Sequence, residues 1–449
     1  MKIAIIGTGY VGLVSGACFA EFGTDVVCVD KDARKIERLK AGEIPIYEPG
    51  LDAMVLRNSA AGRLTFTTEL AGAIDGAAAV FIAVGTPSRR GDGHADLTYV
   101  FGAAAEVADA LGHETVIVTK STVPVGTGRR ILEIVRERRP DLDISVASNP
   151  EFLREGSAIT DFMTPDRVVI GTQDEKAEEV LRALYRPLYL IETPIVVTGL
   201  ETAELTKYAA NAFLAVKITF INEIADLCEK VGGDIHDVAR AMGLDKRIGA
   251  KFLHPGPGYG GSCFPKDTRA LVATADEYAS PQRIVSEVVA INDARKVAMV
   301  DRVVAACNGS VDGLTIGVLG LAFKQNTDDM REAPSLDIIP RLQQQGATIK
   351  AFDPAAMGEA KHLLSDIAYC EDAYAAMEDV DCLVVLTEWN QFRAIAPSRI
   401  AKMMRGRVVV DLRNVYDPQE MAAAGLTYHS VGRPAVSGAK QTLLKAAGA

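Results

Sequence analysis

The chain has 449 residues, 48% of them hydrophobic and 24% charged, with a formal net charge of −11. That length predicts two to four domains, the composition predicts a full apolar core, and the acidity argues against a nucleic acid or an anionic membrane as partner. Seven cysteines, an odd set with no CxxC pair, exclude a disulfide or zinc framework and point to a reducing cytoplasm, and six scattered histidines offer no metal site.

At the amino end, Lys2 is followed by four apolar residues before Gly7, too few for a secretory core, and no apolar run has the length of a membrane span. "KIAIIGTGYVGLVSGACFAEFG" reads as strand, tight turn and helix, with Gly7, Gly9 and Gly12 forming GxGxxG directly after the strand. In that context the first glycine allows the turn, the second lets backbone approach a pyrophosphate, and the third lets helix and strand pack closely. The helix N-terminus adds partial positive charge for the phosphates. "DVVCVDKD" is a second strand ending in Asp30, 18 residues after Gly12. A carboxylate there accepts hydrogen bonds from both ribose hydroxyls and repels a 2′-phosphate, so NAD is expected over NADP. Lys31, Arg34 and Lys35 lie just beyond and would tolerate a phosphate. The alternative is a ligand-free glycine turn beside a solvated aspartate. Further apolar strands, "AAAVFIAVGTP" (77–87), "ETVIVTKSTVP" (114–124) and "ISVASNPEF" (144–152), alternate with helix-like segments. The pattern predicts a parallel sheet covered on both faces, in a block ending near residue 198. Thr122, Glu151 and Glu155 follow strands of this block, where open α/β sheets bind their ligands. Each alone is better explained as an ordinary strand-to-loop polar residue; the three together are not.

Residues 200–232 contain no proline and no internal glycine before Gly232-Gly233, and their apolar residues recur every three or four positions. One helix of about 30 residues is predicted, a candidate spine and dimer surface. Lys207 and Asn211 share one of its faces at i, i+4 and are donors suited to an oxyanion. Asn211 lies within otherwise apolar "YAANAFLA" and needs a partner. "GPGYGGSCFPKD" (256–267) then holds Cys263, Lys266 and Asp267 in a glycine-rich loop. A cation such as Lys266 or Lys207 would favour the thiolate, and the glycines would let backbone pass close to a ligand. An inert buried cysteine beside a turn fits the loop alone as well. From about residue 311 a second α/β block follows, with strands in "LTIGVLGLAFK", "ATIKAFDP" (ending in Asp353), "DCLVVLTEWNQF" and "RVVVDLRN"; it has Gly317 and Gly320 but no GxGxxG. The last residues, "SGAKQTLLKAAGA" included, read as a loosely held tail.

These segments together resemble the UDP-glucose/GDP-mannose dehydrogenase family. The resemblance rests on "GTGYVG", "YEPGL", "KSTVPVGT", "NPEFLREG", "TKYAANAFLAVKITFINE", "GPGYGGSCFPKD", "GLAFKQNTDDMREAPS", "DP" at 353–354, "TEWNQF" and "DLRN", in the family's order from residue 7 to 414. The fold class expected is α/β: two Rossmann-like doubly wound parallel-sheet domains joined by a long central helix and a helical middle domain. Residues 1–198 would bind NAD, 199–305 would carry the catalytic loop and the dimer surface, and 306–449 would bind a UDP-sugar. The resemblance implies a four-electron oxidation of UDP-glucose to UDP-glucuronate with two NAD per turnover, through a thiohemiacetal and a thioester on Cys263. It implies that Lys207 and Asn211 stabilise oxyanions and that Asp267 activates water, with Thr122 and Glu155 beside it. Cofactor contacts would come from Gly7, Gly9, Val11, Gly12, Asp30, Lys35, Thr86, Thr122, Glu155, Lys266 and Arg331. The sugar nucleotide would be held by Glu151, Phe152, Leu153, Arg154, Glu155, Lys207, Asn211, Phe252, Leu253, His254, Pro255, Gly256, Gly260 and Lys324. Arg247 would reach the substrate of a second subunit in a homodimer. A nucleotide-sugar binder without activity would lack the thiol or the oxyanion pair, and a two-electron hydroxyacid dehydrogenase would have no use for Cys263.

Overall fold

A computed structural model describes residues 1–89 and 93–438. The tail expected to be loosely held lies, from residue 439 on, outside the described residues. The chain divides into two compact units, one of Met1–Asn211 with Arg269–Gln282, the other of Ala212–Thr268 with the residues from 283 onward. No helix among the described residues is long and apolar enough to cross a membrane.

The first unit is built on eight strands: β1 (Lys2–Ile6), β2 (Asp25–Val29), β3 (Leu64–Thr67), β4 (Ala79–Ile82), β5 (Val116–Thr119), β6 (Ser145–Ser148), β7 (Val168–Gly171) and β8 (Ile195–Thr198). Their order is β3-β2-β1-β4-β5-β6-β7-β8. β1 pairs in parallel with β2 on one side, Ile3 opposite Val26, and with β4 on the other, Ile3 opposite Ala79. The connection therefore reverses at β1, and a crevice opens outside the carboxyl ends of β1 and β4. β4, β5 and β6 are buried along their whole length, which is why β4 (AVFI) and most of β5 (VIVT) are apolar runs rather than alternating ones; β6 (SVAS) fits the same buried position with small residues. The sequence pattern predicts a parallel sheet, but β6 meets β7 antiparallel, Ser148 opposite Gly171, and β8 pairs in parallel with β7.

The helix Tyr10–Glu21 follows β1 and is buried from Gly12 through Ala20. It lies so close to the strand turn that a Cβ on Gly12 would sit 1.9 Å from the Gly7 carbonyl oxygen. Gly7 itself takes φ +102°, which an L side chain rarely adopts. Phe19 on this helix packs against Phe81, Phe162 and Tyr185 at 5.3, 4.9 and 5.3 Å between ring centres, which seals the core beneath the crevice.

The long helix predicted from residue 200 runs Leu200–Val231, and the division between the two units falls inside it. Gly232 ends it at φ +77°.

The second unit holds β9 (Thr315–Leu319), β10 (Thr348–Phe352), β11 (Ile367–Tyr369), β12 (Cys382–Val385), β13 (Val408–Asp411), β14 (Thr427–Ser430) and β15 (Val436–Ser437), in the order β11-β10-β9-β12-β13-β14-β15. Only the terminal β15 is antiparallel to its neighbour. The first six strands repeat the arrangement of the first sheet, but the turn after β9 differs. Residues 320–333 intervene before the next helix, Pro334–Gln344. Asp353, at the end of β10, is buried and accepts from the amides of Leu321 (2.7 Å), Ala322 (3.1 Å), Ala355 (2.9 Å) and Ala356 (2.9 Å) and from the Trp389 indole (3.2 Å).

Candidate active site

In the first unit the glycine turn and Asp30 stand together at the crevice. The Asp30 carboxylate accepts from the Thr8 amide (2.9 Å), the Thr8 hydroxyl (2.6 Å), the Lys35 ammonium (3.0 Å) and the Asp32 amide (3.1 Å). Burial pushes its pKa up, but the hydrogen bonds from Thr8, Asp32 and Lys35 outweigh burial and hold it at about 2. It is an ionised acceptor at any ordinary pH. Gly9 caps the helix Tyr10–Glu21, no side chain caps that end, and its first turn holds no acidic residue. A Cβ on Gly9 would meet nothing within 4 Å. An open face at an uncapped helix N-terminus beside an ionised carboxylate fits a dinucleotide's pyrophosphate and ribose. Val11, next to the turn, is half-buried and packs against the core. Thr86, after β4, donates its hydroxyl to the Thr122 carbonyl at 3.0 Å, so two of the expected cofactor contacts are neighbours.

The loop after β6 forms a second cluster in this unit. The Lys207 ammonium lies 3.1 Å from the Glu151 carboxylate, and both side chains are nearly fully buried. Lys207 also lies 5.4 Å from the centre of the Phe152 ring, which Arg167 approaches at 3.6 Å. Glu151 accepts the Leu153 amide at 2.6 Å. Arg154 turns to Asp161, at 2.6 Å. Asn211, one turn beyond Lys207, is buried, as is Glu155.

Three supports of this cluster escaped the sequence reading. Glu48, from "YEPGL", accepts the amides of Gly156 (2.6 Å) and Ala158 (2.8 Å) and the Tyr10 hydroxyl, and so closes the loop that carries Glu155. Glu204, one turn before Lys207, accepts the amides of Gly126 and Gly128 at 2.7 Å each, and ties the long helix to the loop after Thr122. Burial pushes its carboxyl up to about 7. Lys120 is buried, donating to Asn149 (2.9 Å) and to the Tyr185 hydroxyl (3.0 Å), and burial lowers its pKa to about 7.

In the second unit Cys263 is not in a free loop. It immediately precedes the helix Phe264–Glu277, and its carbonyl accepts the Asp267 amide at 2.8 Å, the first bond of that helix. Lys266 and Asp267, which the glycine-rich sequence places in a loop, belong to the first helical turn. Pro265 suits that turn because an amide there has no intrahelical partner. The Lys266 ammonium lies 2.7 Å from the buried Asp267 carboxylate, and the Ser262 hydroxyl lies 3.4 Å from the Cys263 sulfur. Cys263 is partly exposed, unlike Cys18, Cys28, Cys228 and Cys382. Before it, Phe252 takes φ +66°, uncommon for a bulky residue; Leu253, Pro255 and Gly256 are buried and His254 is exposed. Gly260 is pressed against residue 332, where a Cβ would come 2.3 Å from the Glu332 carbonyl oxygen. Arg331 makes paired bonds to Asp329 at 2.8 and 2.9 Å and keeps an exposed side chain. Lys324 lies 5.1 Å from the centre of the Phe323 ring. Arg247 stands apart on the surface, paired with Asp245 at 2.6 Å.

Residues 1–189 match the NAD binding domain of the UDP-glucose/GDP-mannose dehydrogenase family, 201–294 its central domain, and 317–418 its UDP binding domain. The chain is 58% identical over 436 residues to a UDP-glucose 6-dehydrogenase of Rhizobium meliloti (strain 1021), covering 97% of this chain and 100% of that one. It is 51% identical over 439 residues to the UDP-glucose 6-dehydrogenase TuaD of Bacillus subtilis (strain 168), covering 97% and 94%. Among solved structures, a UDP-glucose dehydrogenase from the hyperthermophilic archaeon Pyrobaculum islandicum is similar with a TM-score of 0.88 and 40% identity, covering 96% of this chain and 98% of that one.

Proposed function

This chain belongs to the UDP-glucose/GDP-mannose dehydrogenase family, and from that membership we propose that it oxidises the C6 alcohol of UDP-glucose to the carboxylate of UDP-glucuronate. It is an NAD-dependent dehydrogenase. NAD, when bound, accepts hydride, and two per sugar take up the four electrons of the overall oxidation. Gly7, Gly9, Gly12 and Asp30 would hold it, with Val11, Lys35, Thr86, Thr122, Glu155, Lys266 and Arg331 as further contacts.

The work of the chain's own residues is as follows. Loss of hydride from C6 and of the O6 proton first turns the alcohol into the aldehyde; Cys263 then adds its sulfur to that carbon, forming a C–S bond while the carbonyl oxygen takes a proton. Loss of hydride from carbon and a proton from oxygen leaves a thioester. Water then forms the new C–O bond, the C–S bond breaks, and the thiol returns with the carboxylate released. Lys207, oriented by Glu151, and Asn211 donate to the oxygen as it gains charge. Asp267 accepts a proton from the attacking water, with Thr122 and Glu155 assisting. The loop 151–155, the segment 252–256, Gly260 and Lys324 hold the UDP-sugar.

The observation that carries this reading is Cys263 at the amino end of a helix, with Lys266 and Asp267 in the first turn. A helix N-terminus favours negative charge, which suits a thiol that must attack as thiolate. The test is the number of NADH formed per UDP-glucose consumed: two are expected, and one would leave a simple alcohol dehydrogenase. Cys263→Ser should make no completed product, because a serine ester forms poorly and hydrolyses slowly; near-normal acid formation by that variant would remove the thioester. NADH formation with GDP-mannose instead of UDP-glucose would move the protein to another branch of the family.

The segments 1–198, 199–305 and 306–449 would serve NAD, catalysis with dimerisation, and the UDP-sugar respectively, in a cytoplasmic homodimer. Phe213, Phe220 and Leu227 are exposed at seven-residue intervals on the helix Leu200–Val231. That heptad stripe favours a second copy of the chain as its cover, with Arg247 reaching the neighbouring subunit's substrate.

A further inference from the structure

The segment from Gly256 to Ser262 contains four glycines, and by composition it should be loose. It is instead tethered at one peptide group after another. The Gly256 amide donates to the Asn222 side-chain oxygen at 2.8 Å, and its carbonyl accepts from the Arg295 guanidinium at 2.7 Å. Three residues on, the Tyr259 amide donates to the Asn292 side-chain oxygen at 2.8 Å, and its carbonyl accepts the Asn292 side-chain amide at 3.1 Å. The Gly261 amide then donates to the Arg331 carbonyl at 2.8 Å and the Ser262 amide to Asp329 at 3.2 Å. Asn222, Asn292 and Arg295 are buried. Arg295 is oriented in turn by Asp226, at 2.8 Å.

A side-chain amide that accepts the N–H and donates to the C=O of one residue does what a neighbouring strand would do, and it fixes the two peptide planes on either side of that residue. At Gly256 two side chains, Asn222 and Arg295, share that role, and with both residues held the chain between them has little freedom. Gly258 fits only because it has no side chain: it takes φ +111°, and a Cβ there would come 2.9 Å from the Asn292 oxygen. Asn292 and Arg295 lie on the helix Arg283–Ala306, whose own packing holds them still. The clamp at Tyr259 acts four residues before Cys263.

We propose that Asn292, with Arg295 and Asn222, is a positioning residue for the Cys263 thiol: it locks the glycine-rich segment so that the sulfur is presented in one place. The proposal rests on the reading of Cys263 as the nucleophile. Reaction rates are sensitive to such placement, since a shift of about 1 Å at a reacting atom can lower a rate about a hundredfold. Substrate affinity, set by many contacts, should change far less.

The test uses the full chain carrying Asn292→Ala, with Asn292→Asp and Arg295→Lys beside it. Three quantities are read: kcat and KM for UDP-glucose and NAD, the rate at which iodoacetamide alkylates Cys263 (followed by peptide mass spectrometry, because Cys307 and Cys370 are also partly exposed), and the melting profile. For Asn292→Ala, kcat is expected to fall about 30- to 100-fold with each KM within about threefold, and the alkylation rate to change severalfold. Asn292→Asp, which still accepts the Tyr259 amide, should recover part of the loss. Arg295→Lys, which keeps the charge facing Asp226 and shortens the reach to Gly256, should show the same pattern if Asn292→Ala does not fold. A near-normal kcat, or a fall in kcat with an unchanged alkylation rate, would overturn the proposal. Failure of the underlying reading looks different: Cys263→Ser would still yield two NADH per sugar, whereas the alkylation rate of the Asn292 variants reports the clamp whatever the thiol does.

Discussion

Gly9 and Gly12 belong to one fingerprint but should fail in different ways when a methyl group is added. At Gly12 the new Cβ would stand 1.9 Å from the Gly7 carbonyl oxygen, against the 3.0 Å below which real Cβ contacts essentially never fall. The obstacle is backbone in a tight turn, so helix and strand must separate by about 1 Å. Overpacking of this kind costs about 1–3 kcal/mol, and backbone on backbone puts it near the upper end. For a cooperative unit of roughly 200 residues that lowers the melting temperature by about 6–10 °C, with or without cofactor. At Gly9 nothing lies within 4 Å of the Cβ, and φ −72°, ψ −171° suit alanine. Reduced freedom of the unfolded chain stabilises by about 0.4–1 kcal/mol, while alanine is a much poorer cap than glycine, at a cost of about 0.5–1 kcal/mol, so the two nearly cancel and the melting temperature should move by under about 3 °C. The methyl would nevertheless occupy the face that a pyrophosphate must reach, and NAD affinity should fall at least about tenfold, or about 1.4 kcal/mol. Differential scanning calorimetry and isothermal titration of NAD into both variants separate the effects. If Gly9→Ala binds NAD as tightly as the parent, nothing approaches that face; if Gly12→Ala melts with the parent, the turn is not the constraint described.

Asp30→Ala should weaken NAD and narrow the preference over NADP, because an ionised acceptor with a pKa of about 2 is lost while Lys35 remains; an unchanged ratio of kcat/KM for the two cofactors would rule out contact with the ribose. Lys120→Met should change the pH dependence of stability. Burial lowers the lysine from 10.5 to about 7, so between those values the unfolded chain binds a proton that the folded chain does not, and this group makes stability rise with pH. Below about 7 both states are protonated and that contribution is absent. Relative to the parent, the methionine variant should therefore lose about 1.4 kcal/mol for each pH unit climbed within that window. Urea midpoints of the two proteins at about pH 7 and about pH 9 report it, and a difference that stays constant between them would contradict the assignment.

Much of this arrangement is legible in the sequence because it rests on local rules. Asp30 ends a strand at a readable distance from the glycines, and the helix Leu200–Val231 declares itself by lacking breakers. The reversed direction of β7 is not legible, since "VVIG" reads alike whichever way the strand runs. The first turn of the helix Phe264–Glu277 was hidden by Pro265 and the glycines before it, which usually signal a loop. Glu204 and Glu48 hold amides remote in sequence, and no local pattern announces a carboxylate folded back onto a distant loop. Asn292 and Arg295 were within reach: buried polar residues in "VVAINDARKVAM" raise the question that drew attention to Asn211, namely what satisfies them.

The acids that follow β2 and β10 are engaged to different degrees. Asp30 accepts from Thr8, Asp32 and Lys35 but stays half-buried at the crevice, while Asp353 is buried and spent on four amides and an indole of its own chain. Placing glycines after β9 would therefore not convert the second sheet to dinucleotide use, because that carboxylate has no capacity left for a sugar and the turn depends on its staying put.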